Sequence, residues 1–181
     1  MTRQVALLRG INVGTAKRIA MADLRRVVEG LGYEDVKTLL NSGNVVFTVP
    51  KGATGVAAKR IETAIAAELG VTSRVTVLSA TQLARVVDEN PLLRVAKNHS
   101  RLIVAVFATP ADRKRAESML QEARDLRPEF SLGRHAAYLW CPDGVLASDD
   151  AAQFNKRMKD GVTARNWATV LKLQALAAPA K

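Results

Sequence analysis

A chain of 181 residues suits one large domain or two small ones, and a hydrophobic share of 48% is ample for a core. No apolar run approaches the ~20 residues of a membrane span. The opening Met1-Thr2-Arg3-Gln4 lacks a signal peptide's apolar stretch, and the one cysteine, Cys141, excludes an intrachain disulfide; a soluble cytoplasmic protein is expected. The charge is +10, from 27 basic and 17 acidic residues, and it divides evenly, +5 up to residue 80 and +5 beyond it. That even distribution argues against a disordered basic arm. Attraction to nucleic acid, phosphorylated ligands or acidic partners is permitted, and solubility alone accounts for the charge equally well.

Val5-Ala6-Leu7-Leu8 is apolar on both faces, as a covered central strand should be. Gly10 then lets the backbone bend. Met21, Leu24, Val27, Val28 and Leu31 recur at helical spacing, with Gly32 as the stop. Val36 to Leu40 reads as a strand, Asn41-Ser42-Gly43-Asn44 as a turn and Val45 to Val49 as the returning strand. Ala57, Ile61, Ala64, Ile65 and Leu69 predict a second helix ending at Gly70, and Arg74 to Leu78 a fourth strand. The order strand, helix, strand, strand, helix, strand is the ferredoxin-like split βαβ pattern.

Ser79 with Gln82 forms a capping box for a short helix that Asn90-Pro91 ends. Leu92 to Ser100 is a basic connector. Leu102 to Phe107 is a β-branched strand. Thr109 caps a helix with Pro110 at its first position, and Ala116, Met119, Leu120 and Ala123 form its buried stripe. Glu129–Leu132 and His135–Cys141 pair around Gly133-Arg134, read as a type II′ turn. Ser148 caps a helix opened by Asp149 and Asp150 and stopped by Gly161. Thr163 is expected to cap the last helix, through Trp167, Val170 and Leu171. The fold class is therefore α+β, with two ferredoxin-like halves, the second less regular and carrying an extra C-terminal helix. The expected boundaries are 1–79 for the first half, 80–100 for the helix and connector, and 101–181 for the second half.

A ferredoxin-like sheet has strand order four, one, three, two, so its first and second strands run the same way, two spacings or about 10 Å apart. The loop after the first strand then shares a sheet edge with the turn between the second and third. Arg9, Asn12 and Lys17 are thereby expected near Ser42 and Asn44, beside the N–H groups that open the first helix. Such a rim suits a carboxylate or phosphate. The same residues also read as plain structure: glycine bends, an Asx turn at Asn12 and ordinary hairpin chemistry at Asn41–Asn44. In Thr163-Ala164-Arg165-Asn166-Trp167, Arg165 would put a cation in the first turn of the last helix, which the helix dipole disfavours. Arg165 is thus a candidate for an ion pair or a ligand, while Trp167 shares its face with Val170 and Leu171 and reads as core.

Other chemistries fit less well. Gly10-x-x-x-Gly14-x-x-Lys17 sits between strand and helix like a P-loop, but the glycine spacing is short and Arg18 stands where a magnesium-binding hydroxyl would follow the lysine. His99, His135 and Cys141 have no partner at ligand spacing, so no metal or cofactor is implied. Ser42 lies in a turn rather than a nucleophile elbow. An RNA-recognition motif stacks bases on its first and third strands, which here carry only Phe47.

The stretches Leu8-Arg9-Gly10-Ile11-Asn12-Val13-Gly14 with Lys17, Met21 and Leu24, then Ser42-Gly43-Asn44-Val45-Val46-Phe47, resemble the N-terminal signature of domain-of-unknown-function family 1697. Thr163-Ala164-Arg165-Asn166-Trp167, with Thr169-Val170 and Lys172-Leu173, resembles its C-terminal one. Thr15 departs from the pattern, standing where the family usually has a second glycine. The resemblance implies a bacterial-type protein of two ferredoxin-like halves with no established activity, and implies that Arg9, Asn12, Lys17, Ser42, Asn44, Arg165 and Asn166 belong to the family pattern. The expected function is a non-catalytic or regulatory binding protein for an anion, either nucleic-acid phosphate or a phosphorylated small molecule, with these seven residues as ligand-binding candidates and no membrane partner. The alternatives are an enzyme using the same rim, with Ser42 or Lys17 in the chemistry, and a purely structural role for the motifs.

Overall fold

The computed structural model describes residues 1–15, 17–53, 56–122 and 129–178. Its first elements are β1 (Thr2–Leu8), α1 (Met21–Gly30), β2 (Glu34–Leu39), β3 (Asn44–Val49), α2 (Ala57–Leu69) and β4 (Val75–Ser79). They form an antiparallel sheet in the order β2-β3-β1-β4. The ferredoxin-like order predicted from the sequence is the one observed.

Residues of one strand alternate between sheet faces, so Ala6 and Leu8 of β1 join Val45 and Phe47 of β3 on the helix side. There they meet Leu24, Val27 and Val28 of α1 and Ile61 and Ile65 of α2. Each such fully buried side chain contributes about 1.5–3 kcal/mol of hydrophobic stabilisation. On the opposite face Val5, Leu7, Val46 and Leu78 are also shielded from solvent, as a strand apolar on both sides requires. The end of α1 is closed by Gly32, whose N–H donates to the Glu29 carbonyl at 2.9 Å, and by Arg60, whose guanidinium donates to the Leu31 carbonyl at 2.9 Å.

α3 (Ala80–Asp88) follows directly. Its capping box is reciprocal: the Ser79 N–H donates to Gln82 Oε1 at 2.9 Å and the Gln82 N–H to Ser79 Oγ at 3.1 Å. The second set is β5 (Leu102–Phe107), α4 (Pro110–Glu122), β6 (Phe130–Leu132), β7 (Ala136–Trp140), α5 (Asp149–Met158), β8 (Val162–Asn166) and α6 (Trp167–Ala177), with sheet order β6-β7-β5-β8. Thr109 and Ser148 cap α4 and α5, accepting from the N–H groups of Asp112 and Ala151. Ala105, Phe107, Ala137 and Leu139 pack with Ala116 and Met119 of α4 and Phe154 and Met158 of α5. Ala123, placed by the sequence on the α4 stripe, lies outside the described residues.

Three local expectations are corrected. Thr163 does not cap the last helix: it is fully shielded in β8 and pairs with Val106 of β5. The cap of α6 is Asn166, whose Oδ1 accepts the Thr169 N–H at 2.9 Å. Arg165 therefore sits in a strand, outside the helix dipole's first turn, and the second half has the full strand complement of the first. Gly133 does not adopt the positive φ that a type II′ turn needs. Its requirement is space, because a Cβ there would lie 2.8 Å from Glu89 Oε2 and 3.0 Å from the Tyr138 ring and hydroxyl. Asn44 belongs to β3 rather than to the turn, paired with Leu7 and Leu39.

The chain divides into two compact units, Met1–Leu83 with Leu173–Lys181, and Ala84–Lys172. In the first, the Leu176 carbonyl of α6 accepts from the Arg3 guanidinium at 3.4 Å. No helix among the described residues is long and apolar enough to cross a membrane.

Candidate functional site

Within the first unit, β1 and β2 are parallel neighbours once removed, and the loop leaving β1 meets the turn between β2 and β3. The Leu8 N–H donates to the Gly43 carbonyl at 2.8 Å. Gly43 permits this approach: its φ is +76°, and a Cβ there would fall 2.7 Å from Leu8 Cβ and 2.7 Å from Ile11 Cδ1. On the other side, the Arg9 N–H donates to the Arg74 carbonyl at 2.9 Å, and the Ser73 hydroxyl donates to the Arg9 carbonyl at 2.9 Å.

Asn12 locks the loop. Its Nδ2 amide donates to the Ile19 carbonyl at 2.9 Å and the Asn41 carbonyl at 2.7 Å, and its Oδ1 accepts the Ile19 N–H at 2.9 Å. Its own N–H donates to the Lys17 carbonyl at 3.1 Å. Asn12 is thus fully used in shaping the loop, from a left-handed conformation, φ +55°, that asparagine tolerates better than most residues. Gly10, Asn12 and Gly14 are all left-handed, and Ile11 and Val13 between them are not. Successive N–H groups in turns of this kind form concavities that receive anions.

Asn44 is fully buried, and its amide donates to the Leu39 carbonyl at 2.8 Å and to Ser42 Oγ at 2.9 Å. It holds the turn from beneath, while Ser42 is exposed. The rim therefore gathers Arg9, Asn12, Lys17, Ser42 and Asn44 as the topology predicted, but with separate duties. Asn12 and Asn44 are structural staples, and Arg9, Lys17 and Ser42 reach solvent, Arg9 partly. Arg18, whose sequence position speaks only against a P-loop, is exposed beside Lys17. Among the described residues no carboxylate lies within 4.0 Å of Lys17 or Arg18. Two residues on, Ala20 begins α1 with no side-chain cap. Its nearest acid, Asp23 in the first turn, is 3.9 Å from Arg26.

Arg165 and Asn166 lie in the second unit. One Arg165 guanidinium nitrogen donates to the Ala164 carbonyl at 2.7 Å, and Asn166 is occupied as the α6 cap. The second unit has a pocket of about 140 Å³ where β7 leads to α5, with Glu129, Asp143, Asp149 and Asp150 in its lining, the wrong sign for an anion. Cys141 also lines it, and burial pushes that thiol's pKa up. In the middle of β7, the Tyr138 hydroxyl donates to the Val86 carbonyl at 2.8 Å; burial, and then the Glu89 carboxylate, raise its pKa. His135 has a buried Nε2 with no hydrogen-bond partner among the described residues, and burial is the main cause lowering its pKa. Among the described residues no three His, Cys, Asp or Glu side chains are grouped to hold a metal ion.

The model of the family described as "Protein of unknown function (DUF1697)" matches residues 1–138, which takes in the whole rim. No curated protein matches the chain. Among solved structures it is similar to the conserved bacterial protein SP0830 from Streptococcus pneumoniae, with a TM-score of 0.70 and 21% identity over 98% of this chain and 99% of that one. At that identity the likeness concerns the fold alone. The chain belongs to the DUF1697 family of proteins of unknown function.

Proposed function

We propose that this chain is a non-catalytic or regulatory binding protein that takes an anionic ligand, nucleic-acid phosphate or a phosphorylated small molecule, at the rim of its first unit. One observation carries the reading: Lys17 and Arg18 stand without a carboxylate partner among the described residues, beside a helix start with no side-chain cap, on a loop that Asn12 holds in place. A fixed loop loses little entropy on binding, and cations without an internal partner need not break an ion pair to receive an anion. The first N–H groups of α1, which Ala20 leaves without a side-chain cap, add donors close in sequence to the two cations. Arg9 and Ser42 extend the site on either side, while Asn12 and Asn44 act through the backbone they position.

A catalytic role for Ser42 needs a base to receive its proton. Ser42 Oγ accepts a bond from Asn44, which holds it in the turn and favours binding over chemistry. A cytoplasmic setting accords with a single buried cysteine, which suits a reducing compartment.

The test is a titration with labelled nucleic acid at several salt concentrations, together with a thermal-shift screen of phosphorylated metabolites. Binding should weaken as salt rises, and K17A/R18A should lower affinity about tenfold while leaving the melting temperature within a degree or two. An absence of binding at low salt together with no thermal shift would overturn the reading, as would wild-type affinity in K17A/R18A.

A further inference from the structure

Two aliphatic side chains stand in the open at the same rim: Val13 is 71% exposed and Leu40 52% exposed. They are sequence neighbours of the pair Asn12 and Asn41, which are hydrogen-bonded to each other. Leu40 also has a φ of +57°. In that left-handed region a side chain crowds its own backbone, and glycine or asparagine is the usual occupant. Leu40 thus costs the fold twice, by its conformation and by an apolar surface left in water. Strain and exposed apolar surface that coincide, on a rim whose cations Lys17 and Arg18 have no carboxylate partner among the described residues, point to a contact made with something else.

We propose that the rim reads single-stranded nucleic acid, with Lys17 and Arg18 on the backbone phosphates and Val13 and Leu40 against the face of an unpaired base. This rests on the anion-binding reading above and names its ligand. A duplex turns its phosphates outward and stacks its base faces on one another, so it engages the cations and leaves the aliphatic tips in water. A single strand offers both surfaces at once. A phosphorylated metabolite is ordinarily enclosed by a cleft, whereas these two side chains project into solvent. The charge is complementary, since the chain carries +10 overall.

The experiment compares three probes by fluorescence anisotropy or competition on the full chain: a labelled mixed-sequence single strand of about 12 nucleotides, the matching duplex, and inorganic polyphosphate as an anion without bases. The single strand should bind about five- to tenfold tighter than the duplex at equal salt. V13S/L40G should bring the two to parity, with an unchanged salt dependence and a melting temperature no lower than wild type. Parity in the wild type, or a single-strand preference that survives in V13S/L40G, overturns the proposal and leaves the anion-binding reading intact. Binding of polyphosphate without either nucleic acid does the same. An acidic, leucine-bearing peptide that displaces the single strand from wild type but not from V13S/L40G at lower concentration than polyphosphate does would reassign the tips to a protein partner. Failure of all three probes also overturns the proposal, and it removes the anion-binding reading itself when the metabolite thermal-shift screen is silent as well.

Discussion

The side-chain amide of Asn12 donates to the backbone carbonyl of Asn41 across 2.7 Å, tying the loop after β1 to the turn after β2. The same amide holds Ile19, immediately before the α1 cap position. One side chain thus sets the relation of loop, turn and helix start. Asn12→Asp keeps the shape but removes both amide donations and turns a negative charge toward two carbonyls. The expected loss is roughly 2–3 kcal/mol, read from urea unfolding. Anion affinity should fall with it, although Asn12 does not touch the ligand. Unchanged stability in Asn12→Asp would mean that the loop is not held in this way.

Gly43 and Gly14 make a matched pair for the next test. Both are left-handed, at +76° and +61°, but a Cβ at Gly43 would strike Leu8 and Ile11 at 2.7 Å, and one at Gly14 would meet nothing within 4 Å. Gly14→Ala should cost about 1 kcal/mol, the conformational penalty alone. Gly43→Ala adds a clash with buried core atoms and should cost roughly 2–4 kcal/mol by thermal or chemical unfolding. Equal costs at the two positions would show that the turn and the loop are not in contact.

The start of α6 offers a third test. Asn166→Ala removes the acceptor for the Thr169 N–H and should lower stability by about 1 kcal/mol. Asn166→Asp keeps an acceptor oxygen and should stay within about 0.5 kcal/mol of wild type. Denaturant midpoints of the two variants are the readout, and an Asp variant as unstable as the Ala one would count against the cap.

His135 makes stability depend on pH. Burial lowers its pKa below the ordinary 6.5; the cations of Arg134 and Arg85 act in the same direction, and the Glu89 carboxylate opposes them. The folded state therefore favours the neutral ring more than the unfolded chain does, and the unfolded chain binds the proton more readily. The sign follows from proton linkage: this contribution is level above the unfolded pKa and is lost as pH falls below it, until the folded group also protonates. Melting temperatures should decline between about pH 7 and about pH 5, and His135→Gln should flatten part of that decline. An equal slope in the variant would assign it to other groups.

What the sequence determined by itself was whatever depends on near neighbours. The helical spacing of Leu24, Val27 and Val28, the reciprocal bonds of Ser79 and Gln82, and the caps at Thr109 and Ser148 each involve residues within a turn or so of one another. The two-sided apolarity of Val5–Leu8 further marked a central strand, and the ferredoxin-like succession of strands and helices set the order of the first sheet and the meeting of loop and turn. The tertiary structure decided what depends on a distant partner. Thr163 and Asn166 are both good caps by residue type, and only the pairing of β8 with β5 makes the first a strand residue and leaves the second at the helix start. Asn44 looked like a turn residue until its pairing with β1 buried it. The left-handed strain at Leu40, and cations at Lys17 and Arg18 without carboxylate partners among the described residues, are equally invisible in one dimension. A side chain's conformation and its lack of partners depend on what the folded chain brings near it.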